Sequence, residues 1–394
     1  MKKYVRVTPE GTRDLLFEEC IARRRAESIL SNLFLSRGFS EVMTPGIEFF
    51  DVFDTVLPAQ SMYKMTDAQG RLLVMRPDST LPIARLTATR LKDAPLPIRL
   101  FYTQDVYRFN QAQSGYLDQE FQAGIELIGA ASEMADIEVL SLAAKALELF
   151  DIGDYRLEIG HVGFFMSLID ELDADDDTRD NIRTFIENKN YAALGGVLDT
   201  LPVCKAVDAV RQLPRLFGGD EVLKAAASLC GNEQTRCALK FLDTLYKKLC
   251  ELGLSQKVMI DLGLVHQHEY YTGVIFRGYI EGGGDSVISG GRYDTLLSRF
   301  GCDLPATGFG INMDLLARRM LACGCIESTA PVQVLVHAKP GHEAYALKKA
   351  DEMASKGVVC EVSVFSSINE ARLYAKNRRI PKVLEVGGDI RSQQ

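Results

Sequence analysis

Two long extended segments joined by a short loop constrain this chain more than any other feature. Arg99 to Arg108 and Asp118 to Ile128 both read as strands, and NQAQSGYL between them makes a long hairpin that must lie in a larger sheet. In DQEFQAGIELIG, the alternation of a strand puts Phe121, Ala123, Ile125 and Leu127 on one face and Glu120, Gln122, Gly124 and Glu126 on the other. One face is apolar, while the other sets acceptor oxygens around a glycine, an arrangement suited to an ammonium group. A solvated sheet face shows the same alternation, so the residues alone leave both readings open. Arg108 closes the first strand, where a guanidinium can grip a carboxylate or phosphate, or pair with a carboxylate of its own sheet.

Around this hairpin the chain mixes strands and helices. Helical spacing runs from Asp14 to Arg37, with Thr12 as the expected cap and Gly38 as terminator, and again from Glu133 to Ala143. Further strands are expected at Glu41 to Met43, Leu72 to Met75, Val258 to Val265, Tyr271 to Tyr279 and Ser286 to Ser289, and a helix from Asn312 to Ala322. Between about 163 and 256, acidic turns such as DADDDTRD separate short Leu- and Ala-rich helical pieces, which marks a helical insertion splitting the sheet. After CGCIESTAP the pattern turns to strand, helix, strand, helix, strand, the sign of a small α/β domain with parallel strands. The expected fold class is therefore α+β: an antiparallel sheet with helices over residues 1–325, and a small α/β domain over 326–394.

Composition narrows the function. Lys and Arg number 45 against 53 Asp and Glu, a formal charge of -8, so a chain-wide grip on nucleic-acid phosphates is disfavoured. No apolar run approaches the roughly 20 residues of a membrane span, and the opening MKKYVRVTPE lacks a signal-like apolar stretch, so a cytoplasmic chain is expected. Nine scattered cysteines read as free thiols, and His266 with His268 lacks an evident third ligand, so no metal site is expected. Nucleotide-cradling glycine motifs and His-Glu-x-x-His are absent.

Two later segments carry possible chemistry. In EYYTG, Tyr270 and Tyr271 stand side by side before a strand, so one ring is expected on each face. SGGRYD, from Ser289, sets two glycines beside Arg292 and Asp294 at an expected strand-to-helix junction, a backbone able to pack closely on a ligand.

Taken in order, PEGTRDLL, GFSEVMTPGIE, MYKMTDAQGRLLVMRPDST, the segment Val106 to Gly129, LGLVHQHEYYTGVIF and SGGRYD resemble the histidyl-tRNA synthetase family over almost the whole chain. The resemblance implies a class II aminoacyl-tRNA synthetase-like antiparallel sheet, with GFSEVMTPGIE as the first class II motif and hence a homodimer interface. It also implies histidine contacts at Asp78, Thr80, Gln122, Glu126, Tyr270 and Tyr271, with Arg108 at the second class II motif. All of these keep suitable chemistry, Asp78 being a shorter carboxylate than the family's usual Glu.

The positions that handle ATP in that family depart from it. The Arg-x-Glu of its second motif reads Arg108, Phe109 and Asn110 here, the motif 2 loop arginines align with Tyr116 and Asp118, and the arginine before the paired tyrosines is His266. In GFGINMDLL, the third motif's Glu-Arg pair aligns with Asp314 and Leu315. Losing one such donor costs about 3 kcal/mol of transition-state stabilisation, so several losses oppose adenylate formation. The C-terminal segment resembles a curtailed anticodon-binding domain.

A retained histidine pocket without an ATP site resembles the ATP phosphoribosyltransferase regulatory subunits, synthetase paralogues of histidine biosynthesis. That resemblance implies a chain with no catalytic residues and no cofactor, which partners the short-form ATP phosphoribosyltransferase catalytic subunit, is required for its activity and senses histidine as feedback inhibitor. The competing expectations are a divergent histidyl-tRNA synthetase and an unrelated amino-acid-binding adaptor.

Overall fold

The computed structural model describes residues 4–110, 117–229, 232–265, 270–326 and 331–387. Its contacts divide the chain into two compact units, Met1–Cys325 and Ile326–Gln394. The first unit is built on a nine-stranded sheet.

Helix α1 (Glu18–Ser36) buries Ala22, Ala26, Leu30, Leu33 and Phe34. It starts later than expected, because Thr12 caps nothing: its hydroxyl donates to the Pro9 carbonyl, and Phe17 holds the N-cap position at a positive φ of 47°. Gly38 ends it as the sequence suggests, at a φ of 77° with its N–H on the Leu35 carbonyl. Strand β1 (Ser40–Glu41) follows, then a small antiparallel sheet of β2 (Ile47–Phe49), β3 (Lys64–Thr66) and β4 (Leu72–Met75), in the order β2-β4-β3. Helix α2 (Thr80–Arg90) comes next. It escapes sequence reading because Pro82 and four β-branched residues blur its period, yet Pro is harmless in a first turn. Asp78 Oδ1 accepts the Leu81 N–H at 2.8 Å and so relieves one orphan donor of that turn.

The long hairpin forms β5 (Ile98–Tyr107) and β6 (Gln119–Ile128), paired over ten residues. After α3 (Glu133–Glu148) and β7 (Tyr155–His161) the chain enters α4 (Val162–Asp170), α5 (Asp176–Glu187), α6 (Tyr191–Leu198), α7 (Lys205–Gln212), β8 (Phe217–Gly218), α8 (Asp220–Ala227) and α9 (Glu233–Glu251). Within this stretch β8 is the exception to an all-helical reading, and two residues are too few to show a period. The sheet resumes with β9 (Val258–Asp261), β10 (Val274–Ile280), β11 (Ser286–Arg292) and β12 (Ala306–Asn312), and α10 (Met313–Ala322) is capped by the Asn312 side chain on the Leu315 N–H.

The strand order is β1-β5-β6-β12-β11-β10-β7-β9-β8, with parallel pairing for β1–β5 and β7–β9 and antiparallel pairing elsewhere. Chain-distant β6 and β12 are thus neighbours at the centre. Among the described residues no helix is long and apolar enough to cross a membrane.

In the second unit β13 (Val334–Ala338), α11 (Glu343–Ser355), β14 (Cys360–Val362), α12 (Ile368–Arg378) and β15 (Lys382–Val386) form a parallel sheet ordered β14-β13-β15. Val334 and Val336 face Ala346 and Ala350 of α11, while Leu335 faces Ala371 and Ala375 of α12. Both sheet faces are covered, as parallel strands require.

Candidate functional site

Cross-strand register builds the site. Gly124 of β6 stands opposite Tyr102 of β5 and Gly310 of β12, and Glu126 opposite Leu100 and Gly308. Paired residues share a face, so the acceptor face of the hairpin looks onto glycines of β12. Those glycines make room: a Cβ on Gly308 would collide with the Glu126 carboxylate. At Gly124 the space held open for a ligand in the sequence reading is instead filled by the chain itself, since a Cβ there would lie 2.5 Å from the Tyr102 hydroxyl oxygen.

Glu126 is 1% exposed and fully engaged. Thr80 Oγ1 donates to Oε1 at 2.7 Å, and the Tyr293 hydroxyl donates to Oε2. Burial pushes its carboxyl up to about 8; the two hydroxyls oppose that shift and the neighbouring Asp78 carboxylate adds to it. Asp78, 5% exposed, is likewise raised by burial, against its bond to Leu81 and the charge of Arg108.

Tyr270 and Tyr271 do not split between two faces. Both are buried with their ring centroids 4.8 Å apart and tilted by 47°, because the strand starts only at Val274 and its alternation does not reach back to them. Tyr293 packs edge-on against both, at 5.7 and 6.4 Å. Burial raises the pKa of all three phenols, and the Glu126 carboxylate acts on each in the same direction, so they remain neutral donors at neutral pH.

Asp78, Thr80, Glu126, Tyr270 and Tyr271 therefore converge. Gln122 and Arg108 line an adjoining cleft of about 710 Å³. There the Gln122 amide donates to Glu120 at 2.6 Å, and Arg108 Nε donates to the Pro77 carbonyl at 2.7 Å, which ties that arginine to the turn ahead of α2.

SGGRYD is placed differently from its reading. Ser289 to Arg292 belong to β11, and Arg292 is a buried structural cation whose Nε lies 3.0 Å from both Asp136 oxygens, with Asp294 at 3.1 Å on Nη1. The member that reaches Glu126 is its neighbour Tyr293, which sequence reasoning missed along with Tyr102. A tyrosine directly after a double-glycine strand, and a tyrosine in register with Gly124, were the available signals.

The positions aligned with ATP-handling residues serve the fold. Asp118 accepts from the Tyr63 hydroxyl and, at 3.0 Å, from the Asn110 N–H, while Asp314 accepts the Phe121 N–H at 2.9 Å. Leu315 offers a hydrocarbon side chain. Tyr116 and His266, and His268 with it, lie outside the described residues, among which no group of three potential metal ligands occurs.

A nine-stranded sheet of this order, carrying a buried carboxylate and a tyrosine cluster on one face, defines a histidyl-tRNA synthetase-like class II protein, and the histidyl-tRNA synthetase family profile matches residues 11–316. A solved structure described as an ATP phosphoribosyltransferase regulatory subunit/histidyl-tRNA synthetase from Bacillus halodurans superposes with a TM-score of 0.85 at 31% identity, over 98% of this chain and 100% of that one. The ATP phosphoribosyltransferase regulatory subunit of Clostridium kluyveri is 37% identical over 97% of this chain and 99% of its own length. That of Clostridium acetobutylicum is 39% identical over 97% and 95%. Within the class, the chain belongs to the ATP phosphoribosyltransferase regulatory subunit family.

Proposed function

We propose that this chain is a non-catalytic subunit that activates a short-form ATP phosphoribosyltransferase, a glycosyltransferase of the first step of histidine biosynthesis, and carries the histidine site for its feedback inhibition. The observation that carries the reading is the contrast between two neighbouring regions. Glu126, Thr80, Asp78 and the tyrosines form a buried, hydrogen-bonded cluster of acceptors and aromatic rings, chemistry that suits an ammonium and an imidazole, whereas Asp118 and Asp314 accept backbone N–H groups and Leu315 offers no charge. Such a set favours binding an amino acid over activating it.

In this reading the α-ammonium of histidine meets Glu126, Gln122 and Thr80, and the imidazole meets Tyr270 and Tyr271. Arg108 serves the carboxylate end. The first-motif segment forms a homodimer, which is consistent with Met43 at 76% and Ile47 at 50% exposure. The second unit serves as an anticodon-binding-like domain in a chain without a nucleic-acid partner, and the complex works in the cytoplasm without a cofactor of this subunit.

Histidine binding to the chain alone and with the catalytic subunit tests the proposal. Binding in both states, with inhibition of phosphoribosyl transfer at the same site occupancy, is expected. Unchanged inhibition when this pocket is disabled would move the sensor to the catalytic subunit. Exchange of pyrophosphate into ATP would instead favour a divergent synthetase.

A further inference from the structure

Glu126 is sealed from solvent without a counter-ion among the described residues. It is met by the Thr80 hydroxyl at the start of α2, a second buried carboxyl at Asp78, Tyr102 from β5, Tyr270 and Tyr271 ahead of β10, and Tyr293 after β11. The nearby cations, Arg108 and Arg76, act on Asp78, and among the described residues the charge acting on Glu126 is the like charge of Asp78. An ionised carboxylate in such a shell lacks both water and a partner, while a neutral carboxyl can donate to one hydroxyl and accept from the other. The arriving ligand changes that balance, because it brings the missing positive charge.

We propose that this pocket exchanges a proton for its cationic ligand: Glu126 is a neutral carboxyl in the empty site and loses its proton to the buffer as the ligand's ammonium group binds. The inference rests on the reading of the pocket as a receptor for the ammonium of histidine. One O–H bond breaks at Glu126, one forms on a buffer base, and the ammonium keeps its three protons while donating to the new carboxylate. The burial that holds the Glu126 carboxyl near 8 places this exchange in the neutral range.

The sign follows from linkage. The ligand binds the ionised form, whose population falls as pH drops below the carboxyl's value, so apparent affinity falls with it. Histidine should bind about fivefold more weakly at pH 7 than at pH 8, and feedback inhibition should slacken in an acidified cell.

Titration calorimetry of the full chain with L-histidine at pH 7, in phosphate and in Tris, reads the proton directly through the different ionisation heats of the two buffers. Release of about one proton per histidine is expected. Glu126→Gln, titrated with a larger excess of histidine, should retain only the small release that comes from the imidazole. Binding of the parent chain with no buffer dependence overturns the proposal, as does the same release from the Gln variant. Absence of any histidine binding defeats the ligand reading itself and this proposal with it, an outcome distinct from binding without proton release.

Discussion

Glu126 and Tyr293 stand 167 residues apart in the chain and share a hydrogen bond inside one buried pocket. The first lies on β6 and the second directly after β11, with β12 between them in the sheet. That bond, with Thr80 on the other oxygen, holds the Glu126 side chain in one position without a ligand, so little ordering of it would remain on binding.

Glu126→Gln should keep the fold, since the amide fits the same space, but remove the charge that an ammonium needs. A hydrogen bond to a charged group contributes about 1.5 to 3 kcal/mol, so histidine affinity should fall roughly tenfold or more by calorimetry. The mutant complex should then stay active at histidine concentrations that inhibit the parent.

Gly308→Ala should disable the same pocket from below. Its methyl group would collide with the Glu126 carboxylate, and the backbone of β12 is held on both sides by β6 and β11. We expect histidine binding to fall by more than in Glu126→Gln, with a smaller change in secondary structure by circular dichroism than in ligand response. Full affinity in a folded Gly308→Ala chain would show that Glu126 has room to move.

The isolated chain should not exchange pyrophosphate into ATP above background. Asp118 and Leu315 stand where the synthetase resemblance calls for arginines that meet ATP, and neither side chain offers a guanidinium. Introducing Leu315→Arg alone should not restore exchange, because one donor replaces only part of a set that acts together.

A homodimer at micromolar concentration is expected in sedimentation equilibrium, held through residues 38 to 48. Met43→Asp, at an exposed position, should shift the equilibrium towards monomer without changing the thermal unfolding of the subunit core. A parent chain that sediments as a monomer would refute the interface.

Asp136→Ala should be costly although it lies outside the Glu126 cluster. It leaves the Arg292 guanidinium buried without the carboxylate that both Nε and Nη2 reach at 3.0 Å. Removing one partner of a buried pair costs about 3 to 5 kcal/mol, which urea unfolding would register as a lower midpoint at an unchanged slope.

Much of this protein follows from local sequence, because strands and helices announce themselves by period wherever one face is buried. The hairpin of β5 and β6 and the alternation of α/β elements after Pro331 both belong to that class. So does the arrest of α1 at Gly38, where a single residue type suits the backbone. Where the period is interrupted, local reading fails. Strand β12 carries two glycines in seven residues, and α2 has Pro82 in its first turn, so neither shows a clean pattern.

Pairing between distant segments decided the rest. Which strand lies beside β6 is a matter of sheet order, and that order put Gly308 under Glu126 and brought Tyr293 to its carboxylate. The same packing turned Arg292 away from the pocket and onto Asp136, and set Tyr270 and Tyr271 in one cluster rather than on opposite faces. Residue types and spacing determine what each side chain can do, since donors, acceptors and backbone preferences are local properties. Which of those capacities is used depends on desolvation and partners, and both exist only after the sheet has closed over residues far apart in the chain.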